Sequence, residues 1–105
     1  MEMLNRIELK GIVGSTRTSQ VGELNVTRFS LATDYCYKGK DGGPVIETTW
    51  FNCTAWSDKC PTAKDLKGGD AVHLTGRVRS FRFTTESGSH CGWEIIVRSL
   101  EIIAR

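Results

Sequence analysis

Trp50 and Trp56 stand in the run Thr48 to Ser57, where apolar and polar side chains alternate. Period-two alternation marks a β-strand, whose successive side chains point to opposite faces. Phe51, Cys53 and Ala55 then share an apolar, core-like face, and Trp50, Asn52, Thr54 and Trp56 share the other. Two large rings on the polar side of a strand admit two readings. A helix, loop or second subunit covers them, or they stay open as flat surfaces that can stack on planar ligands. A second run, Ala71 to Thr85, bears on the choice. Val72, Leu74 and Val78 make its core face, while His73, Thr75, Arg77, Arg79, Phe81 and Phe83 take the opposite one, with Arg82 close by. No acidic residue interrupts this run. A solvated face explains the arginines but not the phenylalanines between them. Guanidinium groups suit phosphates and aromatic rings suit unpaired bases, so the pattern fits a surface for single-stranded nucleic acid. Stacking accepts every base, so little sequence preference is expected.

The elements that must hold these residues follow from the same periodicity. Asn5 to Gly14 reads as a first strand, with Ile7, Leu9, Gly11 and Val13 on one side and Arg6, Glu8 and Lys10 on the other. Leu24 to Thr33 reads as a second. Its apolar phase slips near Thr27 and Arg28, between Leu24 and Val26 on one parity and Phe29 and Leu31 on the other, which predicts a bulge there. Lys38 to Pro44 has the glycine-rich chemistry of a long, flexible hairpin tip. Thr48 to Ser57 is the third strand. Pro61 to Leu66 predicts one or two helical turns with Pro61 near the first position, stopped by Gly68 and Gly69. Ala71 to Thr85, a turn at Glu86 to Gly88, and Trp93 to Ile103 complete the chain. Five strands with one short helix between the third and fourth predict an all-β OB-fold, a five-stranded Greek-key barrel.

Composition narrows the function. The 105 residues, 39% of them hydrophobic, suit one domain with one modest core. The net charge is only +2, so any nucleic-acid site depends on local placement of cations rather than on the total. No apolar stretch is long enough for a membrane span, and the first ten residues lack a signal-peptide core. A soluble, cytoplasmic protein is expected. Cys36, Cys53, Cys60 and Cys91 show no CxxC pair, and with His73 and His90 they lack the close spacing of a zinc site, so ordinary reduced thiols are expected and no metal or cofactor. GxSxG, Walker and HExxH signatures are absent, and neither histidine has an obvious nucleophile partner, so no enzyme activity is expected.

These residues resemble the bacterial single-stranded DNA-binding protein family over nearly the whole chain. Asn5-Arg6-Ile7 with Gly11 and Val13-Gly14 is similar to the family's first strand, and Phe29 to Thr33 to its second. Thr49-Trp50-Phe51 with Trp56 resembles its tryptophan-bearing third strand, and Gly68 to Val72 through Gly76-Arg77-Val78-Arg79 its fourth. The resemblance implies base-stacking roles for Trp50, Trp56, Phe83 and Tyr37. It also implies basic contacts at Arg77, Arg79 and Arg82, with Lys38 and Lys40 on the hairpin and Arg6, Lys10 and Arg28 as weaker candidates. Phe81 joins the set from the alternation of the fourth strand.

The family implies a homotetramer that protects single-stranded DNA in replication, recombination and repair. Family members usually carry a flexible tail with an acidic end that recruits partners. This sequence stops at Arg105, so either a trimmed core or a naturally tail-less protein is expected, and the second case puts family-style partner recruitment in doubt. Two alternatives stay open: a dimeric, tail-less primosomal restart protein, and a module whose aromatics bind a protein partner.

Overall fold

The computed structural model describes residues 1–105. Its order is β1 (Ile7–Val21), β2 (Leu24–Lys38), β3 (Pro44–Trp56), a 3-10 turn at Ala63–Asp65, β4 (Ala71–Thr85) and β5 (Gly88–Ala104). The strands close into a barrel in the order β1-β2-β3-β5-β4, the Greek-key arrangement of an OB-fold. Every pairing is antiparallel except β3 with β5, which run parallel through two residue pairs, Cys53 with Ile95 and Thr54 with Ile96.

The alternation read from sequence fills the barrel. Val13, Phe29, Leu31, Cys53, Val72, Leu74, Ile95 and Val97 are buried together, and Cys60, Ala63 and Leu66 from the 3-10 segment pack with them. The β3–β4 connection is stitched to β1 by Gly69 N–H to the Val13 carbonyl (2.8 Å) and Val13 N–H to the Asp70 carbonyl (2.9 Å). Asn5, just before β1, extends the β1–β4 ladder with its side chain. Its amide donates to the Val78 carbonyl (2.6 Å) and accepts from the Val78 N–H (2.9 Å).

Four features differ from the sequence reading. The bulge lies in β1, not β2: the register passes from Val13 opposite Leu31 to Thr16 opposite Phe29, while β2 pairs with β3 without interruption. Ser30 accommodates the extra residue, its hydroxyl accepting the Ser15 N–H at 2.9 Å. The phase slip in β2 has another cause. Val26 and Thr27 are both buried, and the Thr27 hydroxyl is satisfied by that of Thr18 at 2.9 Å. Third, the expected helical turns shrink to three 3-10 residues that begin after Pro61. Finally, the segment read as a long flexible tip is mostly paired strand. β2 and β3 stay in register out to Lys38 and Pro44, and Gly39 to Gly43 closes a tight turn with Gly42 at φ +85°.

Because β3 and β5 run parallel, the β2–β3 and β4–β5 hairpins leave the barrel at the same end as two arms. Each arm has an outer face and a face that continues the barrel interior.

Candidate nucleic-acid interface

Register decides which candidate residues meet. On the outer face, Arg17 of β1 lies opposite Arg28 of β2, Arg28 opposite Thr54 of β3, Thr54 beside Ile96 of β5, and Ile96 opposite Arg77 of β4. This row crosses all five strands. Like charges directly across a strand pair are destabilising, and neither Arg17, Arg28 nor Arg77 has a carboxylate partner. The row thus presents three unpaired guanidinium groups to solvent.

Trp56 stands at the edge of a groove in this face, with Arg28, Thr54, Lys59, Arg77, Arg79 and Ile96 lining it alongside Asp58 and Glu94. Glu94 is occupied within the groove. It accepts from Arg79 Nη1 at 2.7 Å and from the Thr54 hydroxyl at 3.3 Å. Arg79 is thus neutralised in place and also lies over the Phe81 ring, 5.8 Å from its centroid. A second groove shares the wall of Lys59, Arg77, Ile96 and Val97, adds Arg6 and Arg98, and has no acidic residue in its lining. The two grooves meet along this shared wall, and in both linings the cations outnumber the carboxylates.

The rings extend this face towards the arms. Trp50, 60% exposed, lies against Gly14 of β1. A Cβ at Gly14 would stand 2.6 Å from the indole, so glycine is what lets the ring lie flat. Phe81 is seated on Gly92, its partner across the hairpin, in the same manner. Phe83 continues the series, 6.0 Å from Phe81 and stacked at 5.4 Å on the His90 ring. His90 is held in turn by the hydroxyls of Thr85 (2.9 Å) and Ser87 (3.0 Å).

The structure gathers Trp50, Trp56, Arg77, Arg79, Phe81 and Phe83 on the outer face, with Arg28 and Arg6 in its grooves, and places Tyr37, Arg82, Lys38 and Lys40 elsewhere. Tyr37 belongs to the opposite face of the β2–β3 arm, beside Tyr35 at a centroid distance of 6.0 Å. Arg82 belongs to the opposite face of the β4–β5 arm. Lys38 and Lys40 are exposed at the tip of the β2–β3 arm. Sequence reasoning missed Arg17, Lys59 and Arg98. Arg17 falls where β1 was read as already over, and Arg98 sits in an irregularity of β5, between Val97 opposite Gly76 and Ser99 opposite Thr75.

Two of the four thiols, Cys53 and Cys60, are buried beneath this surface, whereas Cys36 and Cys91 are exposed. Burial pushes the Cys53 thiol up to about 12 and that of Cys60 up as well, helped there by nearby Asp58, so neither is a nucleophile near neutral pH. No group of three or more His, Cys, Asp or Glu side chains is placed to hold a metal ion. No helix is long and apolar enough to cross a membrane.

Comparison with known proteins follows the same line. A family model described as the single-strand binding protein family matches residues 4–103. Single-stranded DNA-binding proteins from two Neisseria meningitidis strains, of serogroups A and B, are 29% identical over 105 residues, covering 95% of this chain and 60% of each relative. The chain thus spans about three-fifths of the length of these curated relatives. Among solved structures, a Plasmodium falciparum SSB in complex with ssDNA superposes with a TM-score of 0.84 at 23% identity, covering 98% of this chain and 97% of the other. A small single-stranded DNA-binding protein from Streptomyces coelicolor gives 0.73 at 20% identity, with 96% of each chain covered.

Proposed function

The chain belongs to the single-strand binding protein family, and we propose that it binds and protects single-stranded DNA, without sequence preference, on the outer face of its barrel. One observation carries this reading: the uncompensated row of Arg17, Arg28 and Arg77 runs beside the exposed ring of Trp50 and the half-buried ring of Trp56. Phosphates of a single strand take the cations, and its unpaired bases stack on the indoles and on Phe81 and Phe83. A duplex keeps its bases stacked on one another and has only its phosphates to offer. No step makes or breaks a covalent bond, so the activity is binding alone. Residues 1–105 act as one DNA-binding unit, working as a homotetramer in the cytoplasm during replication, recombination or repair.

Titration of intrinsic tryptophan fluorescence tests this. Oligo(dT) is expected to quench emission strongly at low salt, and a duplex of equal length to quench it little. Equal quenching by both, or by neither, would overturn the reading.

A further inference from the structure

Trp93 is a large exposed ring that the outer face does not include. It is 65% exposed, and its neighbours on the β4–β5 arm are set by register. Ser80 lies directly opposite Trp93, and Arg82 lies opposite Cys91, which places the guanidinium-bearing residue diagonal to the indole. Diagonal neighbours on one face are within reach of long side chains. Thr84 and Ser89 complete this face, and none of its residues is acidic. Arg82 has no carboxylate partner, whereas Arg79 on the other side of the same arm is neutralised by Glu94. The arm therefore shows a free cation and an open ring together on the face opposite Phe81 and Phe83.

We propose that the face formed by Trp93 and Arg82 is a second contact surface for single-stranded DNA, so that one strand engages both sides of the β4–β5 arm. The inference rests on the single-strand reading of the outer face and deepens it. Charge argues for this occupant. An unpaired arginine beside an open indole offers a phosphate contact and a stacking contact within one nucleotide's reach, and no carboxylate opposes an anion there. A strand that grips both faces of an arm needs that arm to stand clear of the barrel. The parallel β3–β5 contact ends at Cys53 and Ile95, which leaves Ser80 to Thr85 and Gly88 to Trp93 paired only with each other. This surface also gives Arg82 a role that its separation from Arg77 and Arg79 otherwise leaves unexplained.

The test reads binding and Trp93 separately. Binding is followed by anisotropy of a labelled oligo(dT) long enough to span the barrel. Trp93 is followed by its own emission in a Trp50→Phe/Trp56→Phe variant. Oligo(dT) at saturation is expected to quench that emission. Trp93→Ala is expected to weaken binding by roughly 5- to 150-fold, the range for loss of one stacked base, with Trp93→Phe recovering most of it. Unchanged emission on saturation, together with wild-type affinity in Trp93→Ala, would overturn this surface while leaving the outer face intact. Emission that shifts with protein concentration in the absence of DNA would assign the face to a second copy of the chain and overturn it too. Failure of the unmodified protein to bind oligo(dT) at all would remove the outer-face reading and this inference together.

Discussion

At the scale of single residues, two rings of the surface, Trp50 and Phe81, are seated against glycines, Gly14 and Gly92. Trp50→Ala and Trp56→Ala are each expected to cost about 1–3 kcal/mol of binding, measured as a rise in the dissociation constant for oligo(dT) with no loss of folded structure. Gly92→Ala should weaken binding by a route that removes no contact atom. Its new Cβ would strike the Phe81 ring and lift it from its seat, so its effect should approach that of Phe81→Ala in the same titration. The buried thiol makes a prediction about stability. Cys53 ionises near 9.0 when exposed and is pushed up to about 12 in the fold. The folded state therefore holds this proton more tightly than the unfolded chain does. Stability owed to it is complete below pH 9 and is lost between about pH 9 and 12, by up to about 1.4 kcal/mol per pH unit. Denaturation of Cys53→Ala across that range should show a shallower decline than the unmodified protein.

At the scale of elements, β4 was legible from end to end, because Val72, Leu74 and Val78 alternate on its core face and the arginines and phenylalanines carry the opposite parity on to Phe83. The limits of β1 and β5 were not. Beyond Val13 the apolar positions give way to Ser, Thr and Arg, since that part of β1 pairs with β2 outside the apolar core. Trp93 escaped for the opposite reason. It shares the parity of Ile95 and Val97, so alternation alone assigns it to the core, and only the departure of the arm from the barrel exposes it. Tyr37 and Trp50 were read as parts of one surface because a linear sequence does not show which face of a long hairpin a residue takes. The register does, and it parts them. Asn5 carries the prediction at this scale. Its side chain holds the start of the chain to Val78 by two hydrogen bonds, so Asn5→Ala should cost about 1–3 kcal/mol in chemical denaturation. Binding by the fraction that remains folded should change little.

At the scale of the molecule, a net charge of +2 conceals a groove that Arg6, Lys59, Arg77 and Arg98 line without an acid among them. The charge that matters is local, and binding should fall with salt by about 0.7 logarithmic units per phosphate contact. Arg28→Ala and Arg77→Ala should each lower that slope by about one contact, measured by repeating the titration across a salt series. Sedimentation separates the assembly readings, since a tetramer fits the proposed role and a dimer fits a restart protein. The most direct test of the central claim is to map where the strand lies. Photocrosslinking to oligo(dT) bearing 5-iododeoxyuridine, followed by peptide mass spectrometry, should place adducts at Trp50, Trp56 and Phe83 and lose them at high salt. Adducts confined to the 3-10 segment at Ala63–Asp65 and the chain end at Ala104 and Arg105, with none on β3 or β4, would contradict it.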